Sequence, residues 1–130
     1  MTTHITLISG GGIKAHGASE IDGALNVSGD ITAFATLSSS DSRLKQDIEA
    51  INSGKALEQV NNLQGIYFKY REKPENTNIG FIAQEVLDVV PEVVRTGSEG
   101  YYSLNYANLT ALLVEAVKEL SKKIEDLESK

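Results

Sequence analysis

Chemistry in this chain has few places to start. No cysteine occurs among its 130 residues, which removes disulfides, thiolate zinc sites and a cysteine nucleophile together. The two histidines, His4 and His16, lie in a stretch rich in Gly, Ser and Thr and read as surface residues, not as halves of a Ser–His pair. No group of residues has metal-ligand spacing, and no dinucleotide fingerprint is present. Gly10-Gly11-Gly12 lacks the Lys-Ser/Thr and the helix that a phosphate loop needs. Serine and lysine remain. Ser40 and Lys45 stand five residues apart in Ser38-Ser39-Ser40-Asp41-Ser42-Arg43-Leu44-Lys45. A serine hydroxyl becomes a useful nucleophile when a base takes its proton. A lysine can be that base when desolvation or a nearby cation favours its neutral form. Arg43, two residues before Lys45, could supply the cation. By spacing alone that signal is weak, and the stretch would ordinarily read as a solvated polar linker.

The composition narrows the surroundings of this site. A formal net charge of -6 and a pI of about 4.9 argue against general nucleic-acid binding. Hydrophobic residues make up 41% of the chain, enough to fold one small domain with an appendage, and oligomerisation would extend the surface it can bury. No apolar run approaches the roughly 20 residues of a membrane helix. Met1-Thr2-Thr3-His4 does not open a signal peptide, so a secreted destination would need another route, such as assembly into a particle inside a cell. Nothing implies a metal, a cofactor, a nucleic-acid partner or a membrane.

The candidate site falls where the grammar of the sequence changes. From Met1 to about Ser39 only Lys14, Glu20, Asp22 and Asp30 are charged, and the other 26 of the 30 charged residues follow. In this first part Leu25, Val27, Ile31, Ala33, Ala35 and Leu37 all fall on odd positions. Such alternation predicts strands with one buried face. Asp22-Gly23 and Ser28-Gly29-Asp30 read as turns between them. One thin ribbon cannot close a core, so these strands are expected to wrap around copies of themselves.

After Ser40 the pattern predicts a small mixed domain. A helix is expected from Asp47 to about Leu63, with Ile48, Ile51, Ala56, Leu57 and Val60 apolar and a possible break at Ser53-Gly54. Ile66 to Tyr70 reads as a strand, Arg71 to Asn78 as a polar loop, and Ile79 to Val90 as a short strand or turn leading into a helix stopped by Pro91. Val93–Arg95 and Tyr101–Leu104 pair as a hairpin across 96–100. A long helix without internal Gly or Pro runs from Asn105 to Lys130. On it Thr110, Leu113, Val117, Leu120, Ile124 and Leu127 recur in steps of three and four, the spacing of a coiled-coil seam. Leu109, Leu112 and Ala116 widen the apolar face near its start. Packing within the domain is expected at that end, and self-association towards the C-terminus. Val and Ile at one seam position with Leu at the other would by themselves favour two strands.

The motif Ser40-Asp41-Ser42-Arg43-Leu44-Lys45, followed by Asp47-Ile48, resembles the opening of the intramolecular chaperone domains that end many bacteriophage tail spikes and fibres, the endosialidase-type chaperones. Two further blocks follow in order: Gly80-Phe81-Ile82-Ala83-Gln84-Glu85-Val86 with Val90-Pro91-Glu92-Val93-Val94, then Tyr106, Leu109 and Leu112 to Leu120. The resemblance spans about residues 40–130, while residues 1–39 are similar to a strand-rich fibre end in composition only. It implies an α+β architecture: a β-rich, intertwined fibre segment over 1–39, and a chaperone auto-processing domain over 40–130. The final helix, about 105–130, would form a trimeric coiled coil.

The resemblance also implies an activity. A homotrimer folds and aligns the fibre upstream and then cuts itself off, leaving the fibre kinetically trapped. Ser40 would be the nucleophile, Ser39–Ser40 the scissile bond and Lys45 the general base. Asp41 and Arg43 would have supporting roles in shaping the loop and tuning its charge. The fibre would go to the virion, and the chaperone would act in the host cytoplasm during assembly. The myelin-regulatory transcription factors of animals carry a similar domain, and the fibre-like leader favours the phage reading. Two other readings stay open: a trimerisation cap that is never cut, and a host-binding tip with carbohydrate affinity. The tip finds little support, because Phe68, Tyr70, Tyr101 and Tyr102 read as core or hairpin residues.

Overall fold

Residues Ser53–Asn61 form the first helix, α1, and Leu109–Glu128 form the long C-terminal helix, α3; between them lies almost everything else that is regular. The computed structural model describes Gly10, residues 12–97 and residues 99–130. His4, the Met1–His4 start, Gly11 and Ser98 are outside the described residues. By its contacts the chain divides into two units, one ending at Leu44 and the other running from Lys45 to Lys130.

The second unit holds the core. Ala56 and Leu57 of α1 lie in one cluster with Leu109, Leu112 and Ala116 of α3, residues spaced by three and four so that they share a helix face. Val86 and Val90 from the region of the middle helix α2 (Ala83–Val89), with Val93 and Val94, complete it. Val60, Leu63, Phe81, Leu87, Val89 and Leu104 pack around its edge. Polar contacts tie the pieces to each other. Ser53 Oγ donates to Glu119 Oε2 at 3.3 Å, linking α1 to α3. Gln59 Nε2 donates to the Val89 carbonyl at 2.9 Å, linking α1 to the end of α2. The Asn105 amide donates to the Val93 carbonyl at 2.8 Å and holds the approach to α3.

The helix expected from Asp47 begins six residues later. Asn52 adopts an extended backbone and its Oδ1 accepts from the Lys55 amide at 2.9 Å, a side-chain N-cap. Asp47, at φ 53°, is in the left-handed region and cannot belong to a helix. Ile48 and Ile51, expected on the helix's apolar face, are exposed outside it. Ser53-Gly54 is the first turn of α1, not a break within it.

The strand β1 lies at Ile66–Tyr70 as expected, but its partner was not anticipated. Lys73–Gly80 is strand β2, joined to β1 by the two-residue turn Arg71-Glu72 and paired antiparallel, with Ile66 opposite Gly80 and Tyr70 opposite Lys73. From Lys73 to Asn78 this strand is polar because nearly all of it faces solvent, so no alternation marked it. Pro74 falls in the irregular part of the ladder, between the Tyr70–Lys73 and Phe68–Asn78 pairs, where a missing amide costs no ladder bond.

The remaining elements follow their sequence signals. Val90 leaves the helical region (φ -133°, ψ 72°) before Pro91, which ends α2 and opens a 3₁₀ turn over Pro91–Val93. Strands β3 (Val94–Thr96) and β4 (Tyr102–Leu104) form the expected hairpin. The long helix starts slightly later than expected, after a 3₁₀ turn at Tyr106–Asn108 capped by the Asn105 side chain. No helix of the described residues is long and apolar enough to cross a membrane.

Beyond the core-facing residues, α3 leaves its second apolar stripe open. Leu113, Val117, Leu120, Ile124 and Leu127 are between 46% and 67% exposed. In the first unit the expected strands after Asp22 are not formed: residues 12–39 are exposed, with bends at Asp22-Gly23 and Ser28-Gly29 where the turns were expected. The bends are local and form within one chain. A ladder needs a partner edge and a face to bury against, and one ribbon offers neither.

A close contact explains Gly80. The Phe81 amide donates to the Tyr106 hydroxyl at 3.1 Å, and the two rings stack with centroids 6.0 Å apart. A Cβ on Gly80 would collide with that hydroxyl and stand 3.1 Å from Phe68 Cε1. Gly80→Ala is therefore expected to destabilise the domain by about 1–3 kcal/mol. Tyr106→Phe should cost about 0.5–1.5 kcal/mol and should lessen the cost of Gly80→Ala in the double variant. Urea denaturation at fixed protein concentration measures all three.

Candidate functional site

Ser39 and Ser40 are exposed and lie in irregular backbone. The chain then turns. Ser42–Leu44 is a single 3₁₀ turn, closed by a hydrogen bond from the Leu44 amide to the Asp41 carbonyl at 3.0 Å. The Asp41 side chain folds over the same turn. Its Oδ1 accepts from the Arg43 amide at 2.9 Å and from Arg43 Nε at 3.1 Å, and its Oδ2 accepts from Nη2 at 2.9 Å. Aspartate is suited to this because its short side chain reaches the amide two residues on. Arginine is suited because its planar fork meets both carboxylate oxygens at once.

The electrostatics follow from those contacts. The Arg43 guanidinium and amide hold the Asp41 carboxyl below its ordinary range. Both side chains remain well exposed, at 87% and 45%, so the pair is screened and adds little to stability. The cation expected to act on Lys45 is thus committed to a carboxylate two residues away, and the pair is neutral as a unit.

The structure brings Asp41 and Arg43 together. Ser40 lies with them in the first unit, and Lys45 is the first residue of the second. Two residues later Asp47 holds its left-handed conformation, which aspartate tolerates better than a β-branched residue would.

The other quoted blocks are mostly architecture. Val86 and Val90 are core. Ile82 is 42% exposed. Gln84 and Glu85 lie on the exposed surface of α2. Tyr101, Tyr102 and Tyr106 keep substantial exposure. The Tyr106 hydroxyl serves the Phe81 amide, a contact across 25 residues that no local pattern announces. Among the described residues no three His, Asp or Glu side chains come together as a metal site.

The sequence over this region is similar to known proteins. Residues 40–95 match the model of a family described as the chaperone of endosialidase and named as a peptidase family. The match begins at Ser40 and takes in the opening motif and the Gly80–Val94 blocks. Two phage proteins align with 92% of the chain, which carries the likeness past residue 95. The long tail fiber protein Gp37 of Enterobacteria phage K3 is 33% identical over 144 aligned residues, and that of Enterobacteria phage T2 is 34% identical. The chain spans only about a tenth of the length of these curated relatives, 11% and 10%. Residues 40–95 are thus a domain of the endosialidase chaperone family, in a chain that is similar over most of its length to phage tail-fibre proteins.

Proposed function

We propose that the chain is the C-terminal part of a phage tail fibre, in which residues 40–130 assemble three copies, guide the folding of the fibre segment before them, and then cleave the Ser39–Ser40 bond. The observation that carries this reading is the family match beginning at Ser40, a range that includes Lys45, with a composition boundary at the same place.

In the chemistry proposed, the Lys45 amine takes the Ser40 hydroxyl proton and the Ser40 Oγ attacks the Ser39 carbonyl carbon. The Ser39–Ser40 C–N bond breaks as the Ser40 nitrogen receives the proton, leaving an ester between the Ser39 acyl group and Ser40 Oγ. Lys45 then assists a water in hydrolysing that ester. The products are a fibre segment ending in the Ser39 carboxylate and a chaperone domain beginning at Ser40. No metal or cofactor enters. The cut makes folding one-way, because the fibre loses the template that aligned it and stays folded by the height of its unfolding barrier.

Trimer formation rests on the open stripe of α3. Leu113, Val117, Leu120, Ile124 and Leu127 form a seam at coiled-coil spacing that α1 does not cover. The exposed odd positions of residues 25–37 would be buried by the same threefold association. Assembly would take place in the host cytoplasm, and the released fibre would join the virion. A cap that is never cut would use the same α3 stripe, so the stripe supports both readings and only cleavage separates them.

Two measurements test this. Purified wild-type chain, followed by intact mass, should yield fragments ending at Ser39 and beginning at Ser40. Ser40→Ala should abolish them, and Lys45→Met should slow their appearance by roughly 10²–10⁴-fold. Wild type that stays whole on prolonged incubation leaves the uncut cap. Separately, Leu120→Asp with Ile124→Asp should turn a trimer into a monomer in sedimentation equilibrium, with the helix content of the domain largely kept. A wild-type monomer at high concentration would remove the assembly step.

A further inference from the structure

The Asp41–Arg43 pair stands out because it is highly organised for an exposed contact. Four hydrogen bonds converge on Asp41, one on its carbonyl and three on its carboxylate, and they span only residues 41 to 44. An exposed ion pair is weak in stability terms, so holding the fold together does not account for it. Its effect is on the backbone. A 3₁₀ turn advances about 2.0 Å per residue, against about 3.3 Å in extended chain. Three residues held in the turn therefore shorten the chain over Ser42–Leu44 by about 4 Å.

We propose that Arg43 is a positioning residue for self-cleavage: it clamps Asp41 and thereby keeps the Ser42–Leu44 turn that sets the spacing between Ser40 and Lys45. This rests on the cleavage reading above and assigns Arg43 a part in it. The rival role, a bare cation that makes Lys45 a better base, is disfavoured by the engagement of all the observed Arg43 contacts with Asp41. The clamp needs the guanidinium fork. A lysine carries the same charge but cannot meet both carboxylate oxygens in one plane while its amide meets the same oxygen.

The two roles separate in a pH–rate profile. Full-length chain is refolded and its cleavage followed by intact mass between mildly acidic and strongly alkaline pH. Under the clamp, Arg43→Gln, Arg43→Lys and Asp41→Asn each lower the rate roughly 10- to 100-fold at every pH, and the midpoint of the profile stays where wild type has it. The double variant Asp41→Asn with Arg43→Gln is then no slower than either single one. Carbon-13 titration of Asp41 in the Ser40→Ala background supplies a readout that needs no cleavage. Its carboxyl should titrate below the ordinary aspartate range, and Arg43→Gln should return it there. The clamp then exists above that depressed value and is lost as pH falls through it.

Full activity in Arg43→Lys, or a profile in Arg43→Gln displaced to higher pH with wild-type rates regained in alkali, would overturn the clamp and leave self-cleavage standing. An ordinary Asp41 titration would overturn it as well. Wild type that never cleaves overturns the cleavage reading itself, and the role of Arg43 with it.

Discussion

The contact between α1 and α3 is what the rest of the second unit leans on. Ala56 is fully buried and Ala116 almost so, and two such small residues let the helices approach closely while Leu57, Leu109 and Leu112 fill the space beside them. Each sheet has only two strands, and a lone two-stranded hairpin is marginal in water. Both are therefore accessories to the helix pair, held to it by Leu63, Phe81, Leu104 and the valines around α2. The polar links from Ser53 to Glu119 and from Gln59 to Val89 fall at the margins of this contact, where they orient more than they stabilise.

That contact also divides the work of α3. One face, Leu109, Leu112 and Ala116, is used up within the chain, and the neighbouring face, Leu113 to Leu127, remains open. A helix with two apolar stripes can hold its own domain and still offer a seam to other copies. For a chaperone the division is useful, since the folded domain need not unfold in order to associate. The first unit shows the complementary state, with its apolar odd positions exposed and its turns already bent.

Legibility followed the range of the forces. Strand β1, the β3–β4 hairpin, α2 with its stop at Pro91 and the uninterrupted α3 were all readable, because periodicity, turn residues and proline act over a few positions. Strand β2 was missed because an exposed polar strand buries too little to leave a pattern. The start of α1 was misplaced because Ile48 and Ile51 mimic a helical stripe, while the cap at Asn52 and the left-handed Asp47 decide the backbone. Ser40 and Lys45 were singled out by residue type and by resemblance, and the three hydrogen bonds that bind Arg43 to Asp41 were not foreseen, although the two residues were noted as neighbours of the site.

The sequence by itself determined the kind of domain this is. The Ser40–Lys45 motif, the ordered blocks after it and the two stripes on the last helix are all properties of residue order, and they survive without coordinates. Tertiary structure decided which stripe of α3 turns inward, why residue 80 has no side chain, and where the charge of Arg43 goes. Each of those depends on groups brought together by folding: Ala56 and Ala116 in one buried cluster, the Tyr106 hydroxyl at the Phe81 amide, the Asp41 carboxylate across a turn. Spacing along a chain bounds such distances, and only packing sets them.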